Sequence, residues 1–376
     1  MRVRQTAPFA HYLEETHVAN SKLKFGVYTE MNCMPGVGSG EAVWDVMGHM
    51  EQCDQLGYDV YMAIEHHFFP TFGQSSNPLA LFSAAAQRTK TIRFRTLCHT
   101  LPLHTPTVLA GEIATADVLT GGRLDLGFGR GHAWLYKLAG IPYEESQPRY
   151  EEAQDIIMKA LTEESFSFHG QKYTVDNVTV HPRPVQKQMP VYLTGTSGRS
   201  FRFAAERGWC ISVGGPAPYP IFVNAMKEYR DACAKAGTKP IVSWIQPVHI
   251  APTEEEAQQQ ARTAAPYFYH QIAKPILSVD QVADRDRLLA AGYGFYASNA
   301  MNSMLELTYE DILAQDMVWV GTPAQIADKV ADFLAKEELD EFAIQVLPRG
   351  PQGGITLEQH RRTHELFAKE VMPRFK

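Results

Sequence analysis

The stretch "YDVYMAIEHHFFPTFGQSSNPLALFSAAAQRTKTIRFRTLC" (residues 58–98) predicts a complete strand–helix–strand unit. Residues 58–65 form an apolar run typical of a buried strand, and residues 92–98 form a second one. The helix predicted between them, over 77–89, has Asn77 as its N-cap and Pro78 at its first position, where proline is favoured. Strands that alternate with helices in this way indicate a parallel sheet.

The same alternation extends from this unit towards both ends of the chain. Further strands are predicted at 22–30, 123–129, 189–195, 209–214, 241–251 and 341–348, each followed by helical material. Eight such strands in 376 residues favour a closed (β/α)8 TIM barrel over an open, doubly wound sheet. We expect one domain over residues 1–376, with an N-terminal extension at 1–22 and an insertion at 253–320, before the last strand, that caps the barrel.

Composition and charge argue against several classes of protein. The net charge of -7 disfavours a nucleic-acid or anionic membrane surface. The chain shows no apolar run near the roughly 20 residues of a membrane span, and no signal-peptide core at its start. Its five cysteines include no C-x-x-C pair, which fits a reducing compartment and predicts neither a disulfide framework nor a zinc site. We therefore expect a cytoplasmic protein.

Polar residues follow four consecutive predicted strands, at the positions where a barrel carries its chemistry. In a (β/α)8 barrel the functional side chains lie at the carboxyl ends of the strands. The four segments are Glu65-His66-His67, "TLCHT" (96–100), "GFGRGH" (127–132) and "TGTSGRS" (194–200). Four such strand ends in a row predict one shared site.

The segment "TGTSGRS" predicts a phosphate site. A glycine-rich turn leads directly into a helix, where free backbone N–H groups and hydroxyls bind anions. Taken alone, the turn is more simply explained as an ordinary N-cap. Arg130 and Arg149 shift the balance towards phosphate, because guanidinium groups match phosphate geometry and both are placed to converge on one anion. The predicted phosphate-binding residues of the turn are Gly195, Thr196, Ser197, Gly198 and Ser200.

The adjacent histidines His66 and His67 suggest proton transfer more than metal binding. Neighbouring residues on a strand point to opposite faces, so both rings cannot face the barrel interior if the strand continues. We therefore predict no metal site there. A single inward histidine suits proton transfer, with its protonation state set by Glu65 or a loop carbonyl, although a purely structural histidine fits the motif equally well. Weaker rim candidates are His99, His104 and His132.

Three segments together resemble a known family. They are "EHHFFPTFGQSSNPLALFSAAAQRTKTIRF", "LPLHTPTVLAGEIATADVLTGGRLDLGFGRG" and "VWVGTPAQIADKV". They resemble the bacterial luciferase-like flavin-dependent monooxygenases, and the alpha subunit of luciferase in particular. The resemblance implies a (β/α)8 barrel that binds reduced FMN (FMNH2), receives it from a separate flavin reductase, and uses O2 to oxygenate a small organic substrate. We also expect a homodimer.

The resemblance assigns roles to individual residues. His66 matches the catalytic histidine of the family, and His67 matches its functionally sensitive neighbour. Leu97-Cys98 matches a non-proline cis peptide beneath the flavin ring. The positions that match phosphate ligands are Arg130, Arg149, Ser197 and Ser200.

The sequence departs from luciferase in places that concern the substrate more than the flavin. Gly129 stands where luciferase has a reactive cysteine, and residues 253–320 differ throughout. Aldehyde oxidation and light emission are therefore not implied, and the apolar residues of 253–320 favour a hydrophobic substrate. Three alternatives stay open. They are an F420-dependent oxidoreductase, a non-catalytic flavin-binding relative and, more remotely, a metal-dependent hydrolase.

Overall fold

The computed structural model describes residues 23–195, 198–275, 284–294 and 303–376. The strands of these ranges are β1 (Lys24–Thr29), β2 (Val60–Ala63), β3 (Arg93–Thr96), β4 (His99–Thr100), β5 (Leu124–Gly129), β6 (Phe166–His169), β7 (Thr174–Val178), β8 (Val191–Thr194), β9 (Cys210–Gly214), β10 (Val242–Ile250), β11 (Trp319–Gly321) and β12 (Glu341–Val346). The helices are α1 (Ser39–Gln55), α2 (Pro78–Ala86), α3 (Pro106–Thr120), α4 (Ala133–Ala139), α5 (Ser146–Thr162), α6 (Gly198–Glu206), α7 (Pro220–Ala236), α8 (Glu254–Ala273), α9 (Arg285–Ala290), α10 (Tyr309–Ala314), α11 (Pro323–Leu334) and α12 (Leu357–Leu366).

Eight parallel strands close into a barrel. Their order around the barrel is β1, β2, β3, β5, β8, β9, β10 and β12, and β12 pairs with β1 to complete the ring. The pairing of β9 with β10 closes the other half, for example through Ser243 and Ser212. These strands correspond to the eight predicted from the sequence, so the predicted (β/α)8 barrel is confirmed. The short β4 extends the path of β3 and pairs with β5.

The alternation of side chains along the strands divides the apolar residues into two layers. On β1, Phe25 and Val27 belong to a large cluster that packs between the strands and the surrounding helices. Tyr28 has the opposite orientation and joins a small cluster contributed by several barrel strands, with Met62 and Leu97 among its members. A residue of α2, Phe82, stacks on Phe94 of β3 with ring centres 5.2 Å apart. Successive side chains of a strand point to opposite faces, and here both faces are covered, so each strand buries side chains on both sides.

A buried ion-pair network fills the barrel near the starts of the strands. Arg95 donates to Glu341 at 2.6 Å and to Asp125 at 3.1 Å, and its guanidinium lies 3.4 Å from the centre of the Tyr192 ring. Burial alone would lower the pKa of Arg95, but Glu341, Tyr192 and Asp125 together raise it well above its usual value. Ionic groups at this end of a (β/α)8 barrel serve stability rather than catalysis.

The region before the last strand contains more regular structure than its sequence suggests. It includes the 20-residue helix α8, the short helices α9 and α10, and β11, which pairs with β10. The sequence analysis also missed α4, and the antiparallel hairpin β6–β7 lies between α5 and β8. Residues 276–283 and 295–302 of the predicted insertion, and the predicted extension at 1–22, lie outside the described residues.

Two composition-based expectations can be compared with the structure. All five cysteines are buried and none is in a disulfide. Within the described ranges, no helix is both long enough and apolar enough to cross a membrane.

Candidate active site

Glu65, just beyond the end of β2, is the centre of a buried hydrogen-bond cluster at the barrel rim. Its carboxylate, 1% exposed, accepts hydrogen bonds from His67 Nε2 at 2.7 Å, His104 Nε2 at 2.8 Å and His99 Nδ1 at 3.1 Å. The backbone N–H of Thr100 also donates to it, at 3.1 Å. Because a carboxylate only accepts, each facing ring nitrogen must carry its proton. We call Glu65, His67, His99 and His104 the rim cluster.

The carboxylate of Glu65 in the rim cluster is ionised at neutral pH. Burial alone would raise the pKa of Glu65, but the hydrogen bonds from His104, His67 and His99 outweigh it and hold the pKa well below its usual value. Burial would also lower the pKa of His104, and the bond to Glu65 reverses this, so that the pKa is raised. The ligand atoms of Glu65, His99 and His104 lie within 4.8 Å of one another, at separations that N–H···O hydrogen bonds account for. The hydrogen bonds to Glu65 therefore fix the orientation of each of the three imidazole rings.

His66 points away from this cluster into an aromatic pocket. Its ring is 2% exposed and meets Phe72 edge-on, with ring centres 4.3 Å apart. The ring of His132 is 5.4 Å away and stacks on Trp134 at 4.1 Å. Burial lowers the pKa of His66 well below its usual value and that of His132 to about 4, so both rings are neutral at pH 7.

Both ring nitrogens of His66 are buried and lack a protein partner among the described residues. Buried polar atoms are nearly always hydrogen-bonded, and the exceptions call for an explanation such as a binding site. A neutral imidazole offers one donor and one acceptor. A ring of this kind can bind a ligand and exchange a proton with it.

The structure corrects one expectation about His66 and His67. Strand β2 ends at Ala63, so both histidines lie in the loop that follows it. Their rings have different surroundings. The carboxylate of Glu65 binds His67 and not His66, on which it acts only through its charge. Of the two candidates for setting the protonation state of His66, Glu65 or a loop carbonyl, neither hydrogen-bonds to its ring within the described residues, so burial has that role.

The strand ends β3 and β5 approach each other closely beside the rim cluster. The peptide bond Leu97-Cys98 is cis, as the resemblance implies. A Cβ atom at Gly127 would lie 1.7 Å from the carbonyl oxygen of Thr96, and one at Gly129 would lie 2.0 Å from Cys98 Sγ. These glycines therefore permit the approach of the neighbouring chain. Burial raises the pKa of the Cys98 thiol to about 12, so this thiol is not a nucleophile at neutral pH.

The predicted phosphate ligands are only partly brought together. Arg130 donates to the carbonyl oxygens of Ala291 at 2.7 Å and Gly292 at 3.2 Å, whereas Arg149 donates to Glu145 at 2.8 Å. The two guanidiniums thus have separate protein partners, and their convergence on one anion stays a prediction.

The glycine-rich turn lies beside the helix that carries Arg149. Gly195 follows β8 with φ of 145°, and Gly198 and Ser200 belong to the first turn of α6. Arg199 of α6 pairs with Glu151 of α5, which joins the starts of these two helices. Thr196 and Ser197 lie outside the described residues.

Glu30 is a rim residue that the sequence analysis missed. It follows β1, is 4% exposed, and accepts hydrogen bonds from Asn32 at 3.4 Å and Tyr28 at 3.5 Å. Burial raises its pKa to about 7, although both hydrogen bonds act in the opposite direction. A Cβ atom at Gly73 would lie 2.5 Å from the Glu30 carbonyl oxygen and 2.9 Å from the His66 ring, so the two residues are neighbours. Applying the strand-end rule to the first strand as well would have found it.

A closed parallel barrel with its buried carboxylates and histidines gathered at the carboxyl ends of the strands defines a (β/α)8-barrel enzyme. Comparison with protein families gives the particular branch, since the model of the luciferase-like monooxygenases matches residues 23–338. The chain therefore belongs to this family of flavin-dependent monooxygenases.

The individual proteins that match this chain share only a minority of its residues. An uncharacterized protein of Sinorhizobium fredii is 34% identical over 52% of this chain, a match that spans only 58% of that relative. The oxygenase component of the flavin-dependent trigonelline monooxygenase of Acinetobacter baylyi is 23% identical over 94% of this chain and 96% of its own length. The oxygenating constituent of 3,6-diketocamphane monooxygenase of Pseudomonas putida, solved in complex with FMN, superposes with a TM-score of 0.72 at 21% identity, covering 94% of this chain and 99% of its own.

Proposed function

We propose that this protein is the oxygenase component of a two-component system, which uses FMNH2 and O2 to oxygenate a small hydrophobic molecule. The observation that carries the proposal is His66, a buried, neutral imidazole at the barrel rim whose two ring nitrogens have no partner among the described residues. Membership of the family supports a flavin cofactor. The FMN in one structural relative and the name "oxygenase component" of another support FMN and a separate reductase.

Two groups of residues would hold FMN in this proposal. Leu97 and Cys98 would contact the flavin ring, and Arg130 and Arg149 would bind the phosphate together with the turn residues Gly195, Thr196, Ser197, Gly198 and Ser200. FMNH2 would supply the two electrons that accompany transfer of one oxygen atom of O2 to the substrate, with the other leaving as water.

The protein side chains contribute proton transfer and exclusion of water. His66, neutral at pH 7, donates a hydrogen bond with one ring nitrogen and accepts a proton at the other. Phe72, His132 and Trp134 surround it with aromatic surface that keeps water from the reacting atoms. Glu30, with a pKa of about 7, is a second group able to exchange protons at neutral pH. The rim cluster, which includes the second candidate His67, positions the surrounding loop.

The test is a comparison of His66→Ala with the parent enzyme. The parent is first screened with aldehydes, cyclic ketones and terpenes, using NADH and a generic flavin reductase to supply FMNH2. With any accepted substrate, His66→Ala should bind FMNH2 nearly normally and form product at least about 100-fold more slowly, in the range typical of a lost acid–base group. Flavin oxidation should continue, with hydrogen peroxide released in place of product.

Three results would count against the proposal. Normal coupling of flavin oxidation to product in His66→Ala would move the catalytic role to another residue, with His67→Ala the next variant to measure. Turnover with reduced F420 and none with FMNH2 would favour the F420-dependent alternative. Tight flavin binding without any oxygenation would favour the non-catalytic relative.

The remaining parts of the proposal concern the oligomeric state, the location in the cell and the role of residues 253–320. A homodimer, a cytoplasmic location and a capping role for 253–320 are predictions that go with this function. Light scattering of the purified protein tests the homodimer. Hydrogen exchange with and without FMNH2 tests the capping role of 253–320, because a cap should gain protection on binding.

A further inference from the structure

Three histidines meet on the outer wall of the barrel, away from the rim. His49 belongs to α1, while His360 and His364 lie one turn apart on α12. The ring centres of His49 and His364 are 4.0 Å apart, and His360 is 4.9 Å from each of them. One nitrogen from each ring lies within 4.8 Å of the others. We call this group the wall cluster.

Hydrogen bonds fix which nitrogen of His364 points into the wall cluster. Its Nδ1 lies 2.9 Å from the carbonyl oxygen of His360, and a carbonyl only accepts, so Nδ1 carries the proton. Nε2 is then an unprotonated lone pair. It is buried in a residue 1% exposed and has no partner within the described ranges.

His49 makes a comparable contact, although a tyrosine hydroxyl can either donate or accept and therefore does not fix which nitrogen carries the proton. Its Nδ1 lies 2.9 Å from the hydroxyl of Tyr61, and its Nε2 is buried without a partner among the residues described. Histidines that bind metals typically donate their other ring N–H to a carbonyl, a carboxylate or water, which orients the ring. Tyr61 and the carbonyl of His360 stand in these supporting positions.

Two cations, Arg361 and Arg349, lie near the wall cluster. The charge of Arg349 is balanced by ion pairs with Glu41 and Asp45.

We propose that the wall cluster binds a divalent transition metal of the Zn²⁺ type through one nitrogen of each of His49, His360 and His364. Neutral imidazole is a preferred ligand of zinc, copper and nickel. Three protein ligands leave a fourth position for water, and His360, which is half-buried, provides the access from solvent. The metal ties α1 to α12, the first and last helices of the barrel, which are already joined by a hydrogen bond of 3.2 Å from Gln52 to the carbonyl of Arg361.

The test is calorimetric titration of the full-length, chelator-treated protein with ZnCl2, in the absence of flavin. One Zn²⁺ should bind per chain and raise Tm, because a ligand that binds only the folded state stabilises it. His364→Ala should weaken binding more than about 100-fold, since supporting residues alone typically contribute 10–100-fold. Tyr61→Phe should weaken Zn²⁺ binding by about 10-fold, because Tyr61 supports a ligand and does not bind the metal itself.

Control variants separate this site from other binding. His104→Ala removes a member of the rim cluster, and His169→Ala removes an exposed histidine, so both should bind Zn²⁺ as the parent does. His360→Ala, at the more exposed ligand, should repeat the loss if His364→Ala folds poorly by circular dichroism. Absence of binding to the parent, or equal binding by parent and both ligand variants, would overturn the proposal.

Discussion

The two histidine clusters differ by one carboxylate, and that difference decides their chemistry. In the rim cluster, Glu65 accepts an N–H from each of three imidazoles, so the rings are fixed by hydrogen bonds to a buried negative charge. The wall cluster has three imidazoles and no carboxylate among them, and within the described residues one buried nitrogen of His49 and one of His364 have no partner, whereas in the rim cluster this holds only for Nε2 of His99. Glu65 thus orients the rings of the rim cluster through their N–H groups, and the wall cluster has no such acceptor among its members.

The largest expected effect comes from removing the carboxylate of the rim cluster. Glu65→Gln keeps the size of the side chain but replaces an acceptor oxygen with an NH2 group, which faces ring N–H donors. Breaking a buried charged network by removing one partner typically costs about 3–5 kcal/mol, and we expect at least about 3 kcal/mol of unfolding free energy to be lost. Urea denaturation followed by circular dichroism measures it.

The matched control for this prediction is Glu163→Gln. Glu163 is exposed and pairs with Lys159 one turn away, so its loss should change stability by no more than about 0.5 kcal/mol. If the two variants had the same stability, the rim cluster would not be the scaffold that its hydrogen bonds suggest.

The contributions of the two clusters to stability should depend on pH in different ways. The pKa of His364 is lowered to about 4 in the folded state, so between its usual value of 6.5 and about 4 the unfolded chain binds a proton that the folded chain does not. Stability is therefore lost as the pH falls through this window, by about 1.4 kcal/mol per pH unit for this residue. His364→Gln should lose less stability between pH 6.5 and 5.5 than the parent does.

The rim cluster should respond in the opposite way. The pKa of His104 is raised, so its contribution is fully present below 6.5 and is lost as the pH rises through the folded-state value. The pKa of Glu65 is lowered, so its contribution is lost only as the pH falls through a value well below 4.5. His104→Gln should therefore keep the acid sensitivity of the parent. A reduced acid sensitivity in that variant would contradict the assignment.

Much of the fold was predictable because its signals are local. The periods of strands and helices, the cap at Asn77 and the glycine-rich turn can be read from neighbouring residues, and they gave the eight strands of the barrel. The short helix α4 was missed because seven mostly apolar residues show no clear period.

The sites depend on contacts between distant residues, and there the sequence was less informative. The i, i+4 spacing of His360 and His364 is visible in the sequence, but only the packing of α1 on α12 shows that His49 joins them. Likewise two of the partners of Glu65, His99 and His104, lie 34 and 39 residues away. Cysteine pairs and strand ends are the sequence signals of a metal site, and the outer wall carries neither.

The smallest expected effect concerns a further contact between a histidine and a carboxylate, on the hairpin β6–β7. His169 Nε2 lies 2.7 Å from Asp176, the same distance as between His67 and Glu65, but the two side chains are 65% and 72% exposed. Exposed ion pairs gain little, because water and salt screen them and the side chains lose freedom. Asp176→Asn should therefore change the unfolding free energy by about 0.5 kcal/mol or less in the same urea experiment. A loss approaching that of Glu65→Gln would mean that the contact distance, and not burial, determines the strength of these pairs.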